Sequence, residues 1–450
     1  MKKVFSNTLV SALLAASLVS VSSVEAAANN AANAAPKKKL NVDVSTRYTK
    51  SCRSLAATKP PEKRVLRALT ESVHKRLNKA LGLLSKEQHQ EALDMMLALA
   101  NRNKSNAYTL ATINLNINYA YSNLNQIAQS IRYLEKVVAA KVLPWEREQS
   151  ARLQLANLYY GEDNHKKSLE HLRAWFKNET NPKVQGYVLM AANFSAQNKL
   201  KEAICPAYLA IKESTKANKN IFGVLLNSHY ELNDIPGSIK ILTVMVELFP
   251  QETIYWRNLA GLYAKSERHR DSLAVMELLH RQKRFNKPAD YKQLSSFYAM
   301  LDVPYKSAEV LQEGIEKEVV ESNEKNWKNV ASNFHVAQEI DKSIYAYKKA
   351  AEYVDNGRHD LKQAQLYGEA EKWKLAVKAY DKALQRGGLK DPGEAYFGKA
   401  DALYNDGNFP GAISAFEQAA KYKNFKKNSN RWISFIRDRI EKLRRMAEGV

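Results

Sequence analysis

Two cysteines in 450 residues are too few for a disulfide-rich scaffold, and no CxxC or HExxH spacing offers a thiol or helical zinc site. Glycine and proline are sparse as well, at 16 and 12, about half of average usage, which disfavours a turn-rich β protein. There is no Gly-rich phosphate loop, no GxSxG elbow and no DxDxDG-like calcium loop. The nine histidines include His165 and His171, six apart, and His269 and His280, eleven apart, and none has i, i+4 ligand spacing with a third donor. Most of them lie in charged surroundings and read as solvated surface. No catalytic residue, cofactor or metal is therefore expected, and the chain reads as a non-enzyme. What is abundant is Ala, Leu, Lys, Glu and Asn; a hydrophobic content of 45% excludes global disorder and makes an all-α protein the first expectation. The length suits two or three ordinary domains or one elongated array.

Lys2 and Lys3 precede an apolar, small-residue run from Val4 to Val24, and Val24 with Ala26 puts small residues at −3 and −1 of a cut before Ala27. Residues 1–26 are predicted to be a signal peptide, and the mature protein to work in the periplasm. No later stretch approaches the ~18 apolar residues of a spanning helix. Export also changes the meaning of the formal net charge of +22. Nucleic acid is not an expected partner, and anionic envelope surfaces or proteins take its place.

Short Ala/Ser-aliphatic steps recur at Ala92, Ser130, Ser168, Ala203, Ser238, Ser272, Ser307, Ser343, Ala376 and Ala412, at spacings of 33 to 38 residues. Most of the ten units carry a second small residue twelve positions upstream, followed three later by an aromatic or large aliphatic one. Trp256, Leu259, Ala260, Tyr263, Ser272 and Met276 are the clearest set, and Trp327, Val330, Ala331, Phe334, Ser343 and Tyr347 keep the register. This resembles the tetratricopeptide repeat, W-x2-L-G-x2-Y followed by small, aromatic and small residues. The resemblance implies a right-handed α-solenoid of about ten helix pairs over 63–427, in which small residues let paired helices approach and stacking supplies the core. Residues 27–62 read as a flexible basic leader, Val65, Leu66, Leu69, Val73 and Leu77 as the start of the first helix, and 428–450 as a basic C-terminal capping helix. Pro206 and Pro236 are expected to perturb their surroundings.

In such an array the first helix of each pair lines the concave face, which makes Tyr119, Asn123, Asn157, Tyr160, Asn227, Tyr230, Arg257, Lys265, Lys292, Lys328 and His335 the candidate peptide-binding residues. Lys292 and Lys328 resemble the lysines with which carboxylate-clamp tetratricopeptide proteins grip a peptide C-terminus, but Ser296 and Ser332 stand where the clamp has Asn. Cys52 and Cys205 allow a single disulfide, from the leader to the fourth pair; two separate buried thiols are the other reading.

The signal peptide, a cysteine before the first helix, the run Arg67 to Leu77, the unit ending Glu91-Ala92-Leu93 and the final Arg431-Trp432-Ile433 helix together resemble periplasmic tetratricopeptide proteins associated with TonB systems of γ-proteobacteria. That likeness implies an adaptor in TonB-dependent iron uptake, with TonB-system proteins as partners. A cell-wall or lipopolysaccharide-associated factor binding an anionic polymer is the alternative. The charge is uneven in a way that bears on both. Residues 37–76 hold 12 basic and 3 acidic groups and residues 421–445 hold 10 and 2, whereas the long middle is nearly balanced.

Overall fold

The computed structural model describes residues 39–448; the predicted signal peptide and the start of the leader lie outside them. Among the described residues there are twenty-one helices and no strand. The chain divides into two compact units, Met1–Tyr255 and Trp256–Val450. Each is an α-solenoid segment of stacked antiparallel helix pairs.

In the first unit the pairs are α1 (Glu71–Ser85) with α2 (His89–Arg102), α3 (Ala107–Asn123) with α4 (Ile127–Ala140), α5 (Trp145–Gly161) with α6 (His165–Asn178), α7 (Val184–Ala196) with α8 (Leu200–Glu213), and α9 (Lys219–Glu231) with α10 (Ile235–Leu248). The helix α11 (Thr253–Lys265) begins at the boundary and pairs with α12 (His269–Arg281). The rest of the second unit comprises α13 (Pro288–Met300) with α14 (Pro304–Glu316), α15 (Glu324–Val336) with α16 (Ile340–Ala351), α17 (Arg358–Glu369) with α18 (Trp373–Arg386), α19 (Pro392–Asn405) with α20 (Phe409–Ala419), and a last helix α21 (Lys426–Glu448).

The twelve-residue offset has a hydrogen-bonding basis as well as a steric one. Ser168, Ser272 and Ser343, all fully buried, donate through Oγ to the carbonyls of Ala156, Ala260 and Ala331 at 2.6, 2.8 and 2.9 Å. The small side chain thus brings the two axes together and satisfies its own hydroxyl in doing so. The turn between paired helices is equally regular. Five residues before each small residue of the second helix the backbone is left-handed: Glu87, Asn125, Asp163, Asn198, Asn233, Glu267, Asp302, Gln338, Glu371 and Gly407. The next N–H then donates five residues back, as Asn164 does to Tyr159 and Arg268 to Tyr263 at 2.8 and 2.9 Å, closing the first helix in a Schellman-type turn.

Side chains from neighbouring pairs fill the space between them. Val73, Leu77, Met96 and Ile113 form the core at the start of the first unit, and Tyr291, Leu294, Trp327 and Phe334 that of the second. Neither proline breaks a helix: Pro206 lies inside a continuous α8, and Pro236 is the second residue of α10, where a helix needs no backbone donor. The first helix begins later than expected, at Glu71, so Val65 and Leu66 precede it and are exposed, while Leu69 packs on the core.

Candidate partner-binding site

The leader was expected to be flexible, yet from Lys39 onward it is a strap packed along the first unit. Leu40 N–H donates to the Ser214 carbonyl at the end of α8 at 2.7 Å. Asp43 pairs with Lys240 of α10 at 2.6 Å, and the hydrogen bond from that lysine holds its carboxyl down to about 2. Val44 is buried. After a turn at 47–51 the strap returns past α8, where Cys52 is joined to Cys205 by a disulfide with Cα atoms 5.3 Å apart. Ala57 N–H then donates to the Glu179 carbonyl at 2.8 Å. Arg64 pairs with the buried Glu148 of α5 and lies over the Trp145 ring at 3.9 Å. A low-propensity, basic segment stays ordered because its anchors are distributed over three helix pairs and one of them is covalent.

His229 fastens the tip of the strap. It occupies the place where other pairs have Tyr159, Phe194 or Tyr263, nine residues before the small residue, and it is fully buried rather than solvated. Its Nδ1 hydrogen-bonds to Asp234 Oδ2 at 2.8 Å and its Nε2 meets Thr46 Oγ1 at 3.2 Å, while Tyr48 packs on the ring at 5.6 Å. With Nδ1–H donating to the carboxylate, Nε2 is left to accept from the threonine hydroxyl. Burial holds this imidazole below the usual histidine range although Asp234 pulls the other way. Arg47 Nε stands 3.4 Å from Asp234 Oδ1. His359 is also buried, with its Nε2 2.9 Å from Glu324, and burial lowers its pKa too. The offset from the small residue was the sequence signal that could have placed His229 in the core.

The candidate peptide-binding residues fall on first helices, at recurring positions. In the first unit, Asn123 and Asn157 are exposed, whereas Tyr119, Tyr160, Asn227 and Tyr230 are half-buried. Burial pushes the phenols of Tyr119 and Tyr160 up, and Tyr160 packs against the His165 ring at 5.4 Å. In the second unit, Arg257 was expected to face a ligand but is committed to packing: its guanidinium bonds Asp290 at 2.7 and 2.9 Å and Asn286 at 2.8 Å, clamping α11 to α13. His335 pairs with Glu369 at 2.9 Å. Lys265, Lys292 and Lys328 are exposed.

Two neighbouring first helices repeat three of four outward positions. On α13 the order is Lys292, Ser296, Ala299 and Met300; on α15 it is Lys328, Ser332, His335 and Val336. Met300 is 57% and Val336 65% exposed, so the face carries apolar as well as cationic side chains. Lysine and apolar residue are eight positions apart, about 12 Å along a helix at 1.5 Å per residue. Lysine, serine and an exposed apolar residue therefore recur in that order on both helices, while Ala299 on one is answered by the Glu369-paired His335 on the other. Ser332 Oγ lies 3.4 Å from the Tyr347 hydroxyl, so it belongs partly to the packing beneath.

Residues 361–428, which run from within α17 into the start of α21, match the family model of the tetratricopeptide repeat. Over those residues the chain carries the tetratricopeptide repeat. No curated protein matches the sequence. Among solved structures it is similar to the P58(IPK) TPR domain, at 15% identity and a TM-score of 0.24 over 82% of this chain and 99% of that one. It is likewise similar to MamA, at 17% identity and a TM-score of 0.27 over 38% of this chain and 95% of that one. Tetratricopeptide repeats are protein-interaction scaffolds.

Proposed function

We propose that this tetratricopeptide-repeat chain is an exported, non-enzymatic adaptor that holds extended protein segments on its first-helix faces. The repeated Lys–Ser–apolar order on α13 and α15 carries the reading. It suits a segment with acidic side chains along one edge and apolar ones along the other, and the serines in place of clamp asparagines argue against a grip on a chain terminus. Peptide arrays test it: acidic–apolar segments should be retained by the wild type and lost with Lys292→Glu/Lys328→Glu. Equal retention by both proteins would sink the reading.

Export is supported by the N-terminal Lys-Lys, apolar run and small-residue cut, and by the joined Cys52 and Cys205, since such a bond persists in an oxidising compartment. Fractionation of cells should place the mature chain in the periplasm. The finer reading, an accessory role in TonB-dependent iron uptake, rests on the resemblance of the leader, first unit and last helix. Crosslinking in envelope extracts should then recover TonB-system components, and recovery of cell-wall fragments alone would favour the anionic-polymer reading instead. That second reading draws on the cationic ends of the chain, and salt-sensitive binding to purified peptidoglycan is its signature.

A further inference from the structure

The last helix, α21, has 23 residues where the helix beneath it, α20, has 11. Only its first half is covered. Ser429, Ile433 and Ile436 are buried, and Trp432 stacks on Phe416 at 5.7 Å with the ring planes 7° apart. Arg439 donates to the Tyr404 hydroxyl at 2.6 Å and lies over the Phe409 ring at 5.7 Å. Because Phe409 is the first residue of α20, α21 outruns its support at Arg439. The remaining turns from Ile440 to Glu448 extend it by about 13 Å at 1.5 Å per residue.

The apolar stripe does not end with the support. Ile433, Ile436, Ile440 and Leu443 keep three- and four-residue spacing, and in the overhang Leu443 is 47% and Met446 68% exposed. Capping the array explains Ile433 and Ile436 but gives no reason for Leu443 or Met446. Cations border the stripe on both sides. At about 100° per residue, Arg439 falls on one flank and Arg437 and Arg444 on the other, whereas Lys442 and Arg445 share the opposite face with Asp438 and Glu441. Arg437 and Arg445 form exposed pairs with Glu417 and Glu441 at 3.3 and 3.2 Å.

We propose that the overhang of α21 docks this chain on an anionic membrane surface. The helix lies in the headgroup plane, with Ile440, Leu443 and Met446 among the upper acyl carbons and the flanking cations reaching lipid phosphates. Charge decides between occupants. A second copy laid stripe to stripe would bring two like sets of cations together. A protein groove would need carboxylates along both its edges, whereas an anionic bilayer supplies negative charge on every side. This inference uses no residue of the peptide-binding face and stands or falls separately from it.

Flotation of the full chain with vesicles is the test, using phosphatidylglycerol-rich and pure phosphatidylcholine vesicles at physiological salt. Binding to the first and not the second is expected. Ile440→Ser/Leu443→Ser should weaken it by tenfold or more, on the order expected from two partly buried aliphatic side chains. Arg444→Ala should weaken it by about fivefold. A chain ending at Arg439, which keeps every buried residue of α21, should lose binding while its melting curve is retained. Absence of phosphatidylglycerol binding, or binding indifferent to these changes, overturns the proposal. A wild-type dimer by light scattering that Leu443→Ser dissociates, without vesicle binding, would assign the stripe to a second copy.

Discussion

Replacing Cys52 and Cys205 together by alanine opens a covalent loop with a sequence separation of 153 residues. In the chain-entropy account that loop is worth about 5 kcal/mol at 25 °C. The structure says where this should be felt. The loop encloses α1 to α7 and half of α8, so the constraint acts on the first four helix pairs and on the strap. In a stacked array each pair depends on its neighbours, and a local loss stays largely local. Hydrogen exchange followed by mass spectrometry resolves the two units. Opening the bridge should first release the amides around Leu40 and Ala57, which bond the Ser214 and Glu179 carbonyls. Protection in α1 to α8 should then fall by up to three or four decades, and that in α13 to α20 should hardly change. Strap amides as protected as before, or an equal loss in both units, would refute the reasoning.

Acid should weaken the fold before its carboxylates titrate. His171, His229 and His359 are all held below the usual range, in each case chiefly by burial, so near and below pH 6.5 the unfolded chain binds protons that the folded one does not. Their contribution is complete above that pH and is lost as pH falls towards the lowered values; melting temperatures between pH 8 and 5 check this, and a rise on acidification would contradict it. Gly186→Ala should cost about 1–3 kcal/mol, because its Cβ would overlap the fully buried Trp175 ring; urea titration measures it. Glu267→Gly and Gln338→Gly should each raise stability by about 0.5–1 kcal/mol, since both are left-handed where the last pair already has Gly407. A loss in both variants would show that these side chains do more than tolerate the turn.

The helix pairs and their register were legible from sequence alone because they are local. A small residue twelve positions from another, as Ser272 is from Ala260, specifies two helices and the turn between them within one repeat, and ten copies leave little room for another fold. The outward positions of Lys292 and Lys328 followed from the same count. Tertiary structure alone decided the rest. The strap has no periodicity, and its partners lie 174 residues away at Leu40–Ser214 and 183 at Thr46–His229, a distance over which composition says nothing and the cysteine pair was the one signal. Arg257 falls at an outward position by the same count, but Asp290, on the next first helix, claims it. The stripe on α21 was readable as an apolar face, but how much of it is covered depends on where α20 begins, and that is a property of the packed array.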